Sequence, residues 1–218
     1  MPLVDQLGSV VTLAIELLAT LAFALSGVME AARKKLDVVG VCAVSFLAAF
    51  GGGTLRDLLL DQRPFFWVQH HWLLLVLLLL CALAMLFLRQ SHFEITEKAI
   101  LWPDALGLGL FTATGVNRAL EAGMPPSVAV LLGVVTGICG GVLRDMVCNE
   151  IPVTFKDHRP YAVCAFAGGC VFVLLHAMAL PTELLMLACI TITVATRALA
   201  LSFNWQTPGW GRGAKNSD

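Results

Sequence analysis

The sequence predicts an all-α integral membrane protein with seven transmembrane helices, built as an inverted repeat of three plus three helices with one extra helix. The 218 residues are 58% hydrophobic and only 13% charged, which is about half the charged fraction of an ordinary soluble domain. Apolar runs of about 20 residues, the length of one bilayer crossing, recur along the whole chain. A glycine motif followed by Arg-Asp occurs twice, at an offset of 88 residues.

The seven runs are separated by short polar or turn-forming segments. The first run follows Asp5 with no Lys or Arg before it, which is unlike a cleaved signal peptide and indicates a retained helix. In chain order, the breaks lie at Arg33-Lys34-Lys35, Arg63-Pro64, Arg89 to Lys98, Gly123 to Pro126, Lys156 to Pro160, and Pro181. The predicted spans are therefore 9–31, 38–60, 68–88, 100–120, 126–148, 161–180 and 183–204.

The basic residues between the spans are distributed unevenly over the two sides of the membrane. With seven crossings, one side receives nine Lys and Arg residues and the other receives only Arg63 and Arg118. By the positive-inside rule, we expect the N-terminus outside and the C-terminus, with its polar tail, in the cytoplasm. The nine residues are Arg33, Lys34, Lys35, Arg89, Lys98, Lys156, Arg159, Arg212 and Lys215.

The internal repeat is the most informative feature of the sequence. Gly52-Gly53-Thr54-Leu55-Arg56-Asp57 reappears as Gly140-Gly141-Val142-Leu143-Arg144-Asp145, and flanking positions such as Phe23 and Phe111 match in the same ungapped register. Each copy holds three spans, an odd number, so the second copy is predicted to be inserted upside down, as in many proteins that move solutes. We expect a single transmembrane domain, 1–218, with repeat one at about 10–90, repeat two at about 98–180, the seventh helix at about 183–204 and the polar C-terminal tail at 205–218.

Adjacent glycines lie past the middle of the second span and at the matching place in the fifth. Each glycine costs about 1 kcal/mol relative to Ala in a helix, so we expect a kink or an unwound turn there. Non-helical backbone at membrane depth is tolerated only against protein or water, which favours a pore lining. The alternative is close helix packing through small residues. The glycines are Gly51, Gly52, Gly53, Gly140 and Gly141.

Ionisable residues follow the glycines in both copies. Arg56-Asp57 and Arg144-Asp145 belong to apolar spans, where charges usually face a bundle interior or an aqueous cavity. Glu16 and Asp104 match at the same offset, and we expect them to pair with the arginines and form a charged constriction, or gate, at each end of a pore. The alternatives are structural ion pairs and snorkelling to the headgroups. The hydroxyls that would stand in for hydration water are those of Ser26, Thr54, Thr112 and Thr114.

Other residue patterns argue against other classes of function. The formal net charge is -1 with no basic stripe, so nucleic-acid binding is not expected. No Ser/His/Asp constellation, Walker loop or HExxH motif occurs, so we expect neither an enzyme nor a cofactor. His70-His71 lacks further ligands and the seven cysteines lack metal-ligand spacing, so we expect no metal site.

The paired GGxLRD motifs, the three-plus-three-plus-one span count and the outside N-terminus resemble the prokaryotic branch of the trimeric intracellular cation (TRIC) channel family. The resemblance extends over residues from about 10 to 204. It implies a homotrimer within membrane lipid, in a bacterial inner membrane, with an hourglass pore for K+ and other monovalent cations in each protomer. By position, Gly51 to Gly53 and Gly140 to Gly141 would be the kinks of the pore helices, with Arg56 and Arg144 near the pore.

The same domain family includes bacterial sequences assigned to glycine uptake, which leaves a second hypothesis open. In a secondary transporter for a small neutral amino acid such as glycine, Arg56 or Arg144 would pair with the substrate carboxylate and a neighbouring acid would hold the amine. An inverted repeat suits alternating access. The sequence therefore predicts a channel with K+ or Na+ as the permeant ion, lined by the second and fifth spans, and a glycine carrier as the alternative.

Overall fold

The computed structural model of the chain describes residues 2–90, 96–156 and 159–205. Within these ranges all regular structure is helical, and it comprises nine helices. They are α1 (Pro2–Arg33), α2 (Val38–Leu59), α3 (Phe66–Gln69), α4 (Trp72–Gln90), α5 (Glu97–Glu121), α6 (Pro126–Val147), α7 (Val153–Lys156), α8 (Ala162–Ala177) and α9 (Thr182–Ser202).

Seven of these helices correspond to the predicted spans, in the same order, so the all-helical membrane class is confirmed. The described apolar parts of α4 and α8, Trp72–Phe87 and Ala162–Ala177, are shorter than the apolar segments of the other five long helices. Five helices contain a segment long and apolar enough to cross a membrane: Val10–Arg33, Val38–Leu59, Ala99–Glu121, Pro126–Val147 and Thr182–Ser202.

Two short helices, α3 and α7, were not predicted. They occupy equivalent places, each shortly after the Arg-Asp pair of its repeat. The predicted polar tail from residue 206 onwards, with Arg212 and Lys215, lies outside the described residues. Residues 91–95 and 157–158 of two predicted loops do so as well.

Local capping sets where several helices begin and end. A carboxylate oxygen of Asp37 accepts a hydrogen bond from the Gly40 amide at 2.8 Å at the start of α2. The hydroxyl of Thr96 does the same for the Ala99 amide, at 3.3 Å, at the start of α5. Helix α5 ends just before Gly123, whose φ of 75° suits a residue without a side chain. These ends keep the connections between the long helices short.

The centre of the molecule is a close, reciprocal contact between α2 and α6. A Cβ on Gly52 would lie 2.2 Å from the carbonyl oxygen of Thr136, and a Cβ on Gly140 would lie 2.4 Å from that of Ala48. Ala48 and Thr136 are themselves equivalent positions of the two repeats. The two helices therefore touch through the same pair of positions twice, with the roles exchanged, and only glycine fits at either place.

The same reciprocity extends to the neighbouring helices. A Cβ on Gly27 of α1 would lie 2.8 Å from the Cα of Ser45 in α2, and a Cβ on Gly115 of α5 would lie 2.8 Å from the Cα of Gly133 in α6. All four positions match at the repeat offset. The rings of the repeat-related Phe23 and Phe111 stack at a centroid distance of 5.7 Å. Helices α1, α2, α5 and α6 thus form a four-helix core.

Helix α9 packs on this core from one side, against α5 and α8. Its buried side chains include Leu185, Met186 and Cys189, which pack with residues of α5, α6 and α8. The interior contacts of α9 are mostly apolar, but its buried face also carries Arg197.

Candidate functional site

The first of two buried charge clusters surrounds Arg56 of α2. One terminal nitrogen of its guanidinium donates to Glu16 Oε1 of α1, and Nε and the other terminal nitrogen donate to Asp57 Oδ1 at 2.8 and 2.6 Å. Arg118 of α5 donates to the second oxygen of Glu16 at 3.2 Å. Arg56, Glu16 and Asp57 are buried, whereas the side chain of Arg118 is one-third exposed. These four residues are the first cluster.

The second cluster surrounds Arg144 of α6. Its guanidinium donates to Asp104 Oδ1 at 2.6 Å, to Asp145 Oδ1 from Nε at 2.8 Å, and to the hydroxyl of Ser26. The hydroxyl of Tyr161 donates to the other oxygen of Asp104 at 2.7 Å. Arg144, Asp104, Asp145 and Tyr161 are buried and form the second cluster.

The Arg-Asp pairs also bind the segments that follow them. The second carboxylate oxygen of Asp57 accepts a hydrogen bond from the Phe66 amide at 2.9 Å, and that of Asp145 accepts one from the Val153 amide at 2.9 Å. These amides belong to the first residues of α3 and α7. Each aspartate therefore joins a guanidinium to the loop beyond its helix, which explains why a short helix recurs there.

The two clusters differ in formal charge. Among its four residues, the first has two arginines and two carboxylates, which balance; the exposed Glu121, 3.7 Å from Arg118, lies outside this count. The second has one arginine and two carboxylates, because its fourth member is the neutral Tyr161. The four residues of the second cluster therefore carry one excess negative charge.

A small cavity of about 10 Å³ lies beside the first cluster. Gly53 faces open space, since no atom lies within 4 Å of a Cβ built there. Trp67 Nε1 donates to the hydroxyl of Thr54 at 3.1 Å at the cavity wall. The volume is enough for about one water molecule and far too small for an amino acid.

The predicted glycine sites have different surroundings. Gly52 and Gly140 serve close helix packing, and Gly51 lies against the Leu143 side chain. Gly141 faces the second cluster, because a Cβ there would lie 3.2 Å from Asp104 Oδ1 and 3.3 Å from the Tyr161 hydroxyl. Helices α2 and α6 stay continuous through these glycines, so the unwound turn offered as one expectation is absent from both. A kink at these positions stays a prediction.

The four predicted hydroxyls are all hydrogen-bonded. Ser26 accepts from Arg144 of the second cluster, and Thr54 accepts from Trp67 and donates to the carbonyl oxygen of Phe50 in its own helix. Thr112 and Thr114 donate to the carbonyl oxygens of Leu108 and Phe111 in α5, at 2.7 and 3.3 Å. The role of these hydroxyls in a path for ions stays a prediction.

Sequence reasoning missed two residues near the second cluster. Tyr161, the single tyrosine of the chain, was given no role, although it binds Asp104 directly. The sequence favours snorkelling of Arg197 in α9 to the cytoplasmic surface, with pairing at a subunit contact as the alternative. Snorkelling is wrong for the described structure: Arg197 is 0% exposed, and its guanidinium lies 4.8 Å from the centroid of the Tyr161 ring. The sequence signal that could have predicted this contact is the position of Arg197 inside an apolar span, where ionisable residues usually face the bundle interior and pair with a partner.

Comparison with known proteins places this arrangement in a family. A family model described as Glycine transporter matches the chain twice, over residues 13–90 and 101–177. The two matched segments begin 88 residues apart, the offset of the internal repeat. The chain is also 32% identical over 195 residues to the UPF0126 inner membrane protein YadS of Escherichia coli strain K12, which covers 89% of this chain and 93% of that protein.

Solved structures show the same fold. The TRIC trimeric intracellular cation channel orthologue from Rhodobacter sphaeroides superposes with a TM-score of 0.82 at 33% identity, over 89% of this chain and 99% of that chain. A structure described for conductance through TRIC cation channels has a TM-score of 0.81 at 29% identity, over 92% of this chain and 98% of that chain. The chain therefore belongs to the membrane-protein family described as Glycine transporter and has the fold of the TRIC channels.

Proposed function

We propose that the chain forms a channel for monovalent cations, permeable to K+, with a pore in each protomer lined by α2 and α6. The observation that carries this proposal is the pair of buried Arg/carboxylate clusters at matching positions of these two helices. Ionisable groups inside apolar spans usually face a water-filled path or mark an ion pathway. The similarity to structures described as cation channels supports the same function.

The proposed topology has seven crossings, with α4 and α8 completing the set. Repeat one, about 10–90, and repeat two, about 98–180, are then inserted in opposite directions, and α9 stands outside them. The reciprocal glycine contacts of α2 and α6 support a two-fold axis between the halves. The distribution of basic residues supports an outside N-terminus and a cytoplasmic C-terminus.

We propose a homotrimer in the bacterial inner membrane, surrounded by lipid, as the assembly. Its support is the similarity to a channel described as trimeric and to a relative described as an inner membrane protein. The permeant ion is K+ or Na+, with no bound cofactor.

In this proposal the two clusters act as gates at the ends of the path. Arg56 and Arg144 repel cations while they occupy the path, and their carboxylate partners hold them there. When a guanidinium is displaced, its carboxylate partners and the nearby hydroxyls are left to replace the hydration shell of a cation. The cavity of about 10 Å³ beside Arg56 corresponds to the closed arrangement.

The alternative function is a secondary carrier for glycine. It is favoured by the family model and by a cationic and an anionic side chain placed together in each cluster, which suits a zwitterion. It requires a much larger opening beside Arg56 than the closed arrangement provides.

Flux through liposomes tests both functions and the site together. Purified protein is reconstituted, and K+ efflux is compared with counterflow of labelled glycine. We expect K+ flux in the wild type and a several-fold higher flux in Arg56→Gln and Arg144→Gln, because each change removes a positive charge from the path. Arg63→Gln is the matched control, since Arg63 is an exposed arginine of a loop.

Saturable glycine counterflow without K+ flux would replace the channel with the carrier. If both glutamine variants fold and pass K+ at the wild-type rate, the path does not run through the clusters.

A further inference from the structure

Arg197 of α9 is a buried cation whose charge is only partly satisfied by its neighbours. One terminal nitrogen of its guanidinium donates to the carbonyl oxygen of Pro160 at 3.1 Å, and the group lies over the ring of Tyr161. Its Nε and its other terminal nitrogen have no hydrogen-bond partner among the described residues. No salt bridge joins Arg197 to a carboxylate in the described part of the chain.

A buried charge without a counter-ion is unfavourable unless nearby groups compensate it. The negative face of the Tyr161 ring supplies part of that compensation. The rest is available at the hydroxyl end of the same side chain, where the second cluster has one excess negative charge. Arg197 and the second cluster are therefore electrostatic complements separated by one tyrosine.

Tyr161 contacts both Arg197 and the second cluster. Its hydroxyl occupies one oxygen of Asp104 and leaves the other for Arg144. In the first cluster the corresponding oxygen of Glu16 is occupied by Arg118, a second cation. The residue equivalent to Tyr161 in repeat one is Leu73, so this connection to α9 belongs to the second cluster alone.

We propose that Arg197 is a positioning residue for the second cluster: by holding Tyr161 against Asp104, it fixes the Arg144 guanidinium and balances the charge at that end of the cation path. The proposal rests on the proposed channel function. In this proposal α9, which lies outside the repeats, affects the end of the path at the second cluster and does not affect the end at the first.

The test measures K+ flux in liposomes as a function of K+ concentration. In Arg197→Met the second cluster keeps its excess negative charge, which concentrates cations there, and we expect the half-saturating K+ concentration to fall about threefold. Arg197→Lys retains the charge and is expected to stay near the wild-type value. Arg63→Met, at an exposed arginine, is the control for removal of a positive charge elsewhere.

A double-mutant cycle with Tyr161→Phe tests the route. That variant removes only the hydroxyl that binds Asp104. In the Tyr161→Phe background, we expect Arg197→Met to change the half-saturating K+ concentration by less than about half as much as it does in the wild type. The reason is that the effects of neighbours in one network are not additive. Independent effects of the two changes, or a half-saturating concentration that Arg197→Met leaves unchanged, would overturn the proposal.

Thermal unfolding of the wild type, the two single variants and the double variant separates the positioning contact from the channel function. Coupling between Tyr161→Phe and Arg197→Met in the unfolding temperature requires the contact but not conduction. If the wild type passes no K+ and the coupling is present, the channel function fails and the positioning contact stands. If the coupling is absent, the positioning contact fails whatever the flux. Should Arg197→Met not fold, Arg197→Gln takes its place in the cycle.

Discussion

Neighbouring glycines of α2 have separate physical roles, although they look interchangeable in the motif. Gly52 lets the backbone of α2 approach that of α6, where a methyl group would collide with the Thr136 carbonyl oxygen. Gly53 has no atom within 4 Å of its missing Cβ and borders the cavity beside Arg56. One glycine thus allows close packing of the two helices, and the other leaves space where the proposed path runs.

Substitution of each glycine by alanine separates these roles. We expect Gly53→Ala to fold with stability unchanged or raised by up to about 1 kcal/mol, since alanine favours a helix, and to lower K+ flux because its methyl group enters the cavity. Gly52→Ala is the matched contrast, with a loss of several degrees in unfolding temperature from the 2.2 Å collision. Thermal unfolding and liposome flux measure both. Equal stability of the two variants would contradict the packing role, and undiminished flux in Gly53→Ala would contradict the cavity role.

At the scale of elements, each aspartate of the Arg-Asp pairs connects a long helix to the segment beyond it. One carboxylate oxygen of Asp57 accepts hydrogen bonds from Arg56, and the other accepts one from the first amide of α3. Asp145 does the same for Arg144 and α7. A movement of either guanidinium therefore reaches the loop at that end of the bundle. In the proposed channel, these bonds connect each gate to the short helix that follows it.

Asp57 allows the two bonds to be separated. Asp57→Asn keeps an oxygen for the Phe66 amide and loses the charge, whereas Asp57→Ala loses both. We expect Asp57→Ala to cost about 3–5 kcal/mol, the range for removal of one partner of a buried ion pair, and Asp57→Asn to cost at least about 1 kcal/mol less because the amide stays satisfied. Chemical denaturation in detergent measures the difference. Asp61→Asn, at an exposed residue of the same loop whose φ of 50° Asn tolerates, is the control for removal of a carboxylate charge. Equal costs for the two Asp57 variants would show that α3 does not depend on this bond.

These elements also show what a sequence can predict. The long helices and the pairing of Glu16 with Arg56 and of Asp104 with Arg144 follow from hydropathy and from the repeat, which are properties of the chain itself. Helices of four residues have no detectable period, so α3 and α7 could not be found that way. The contact of Arg197 with Tyr161 depends on how α9 packs against the repeats, and the repeat contains no information on a helix outside it.

For the whole molecule, the reciprocal contacts of α2 and α6 imply opposite insertion of the two halves only if each half crosses the membrane an odd number of times. The described parts of α4 and α8 are the shortest apolar segments among the candidate spans, so the odd number depends on these two. Each has a cluster of apolar residues exposed on its outer side, including Leu75, Leu86 and Phe87 in α4 and Val163, Phe166 and Leu174 in α8. In water such surfaces would be unfavourable, whereas hydrocarbon accommodates them.

Accessibility of the two termini tests this count directly. We expect an epitope tag placed before Met1 to bind antibody on intact spheroplasts, and a tag placed after Asp218 to bind only after lysis, because seven crossings put the termini on opposite sides. A cytoplasmic marker protein, silent until lysis, confirms that the spheroplasts are sealed. The two tagged proteins must retain the same liposome K+ flux as the untagged chain, which shows that neither tag has disrupted the fold. If both tags bind on intact cells, or both only after lysis, the number of crossings is even. One of α4, α8 and α9 would then lie along the membrane surface, and if it were α4 or α8 the two clusters could no longer be gates at opposite ends of one path.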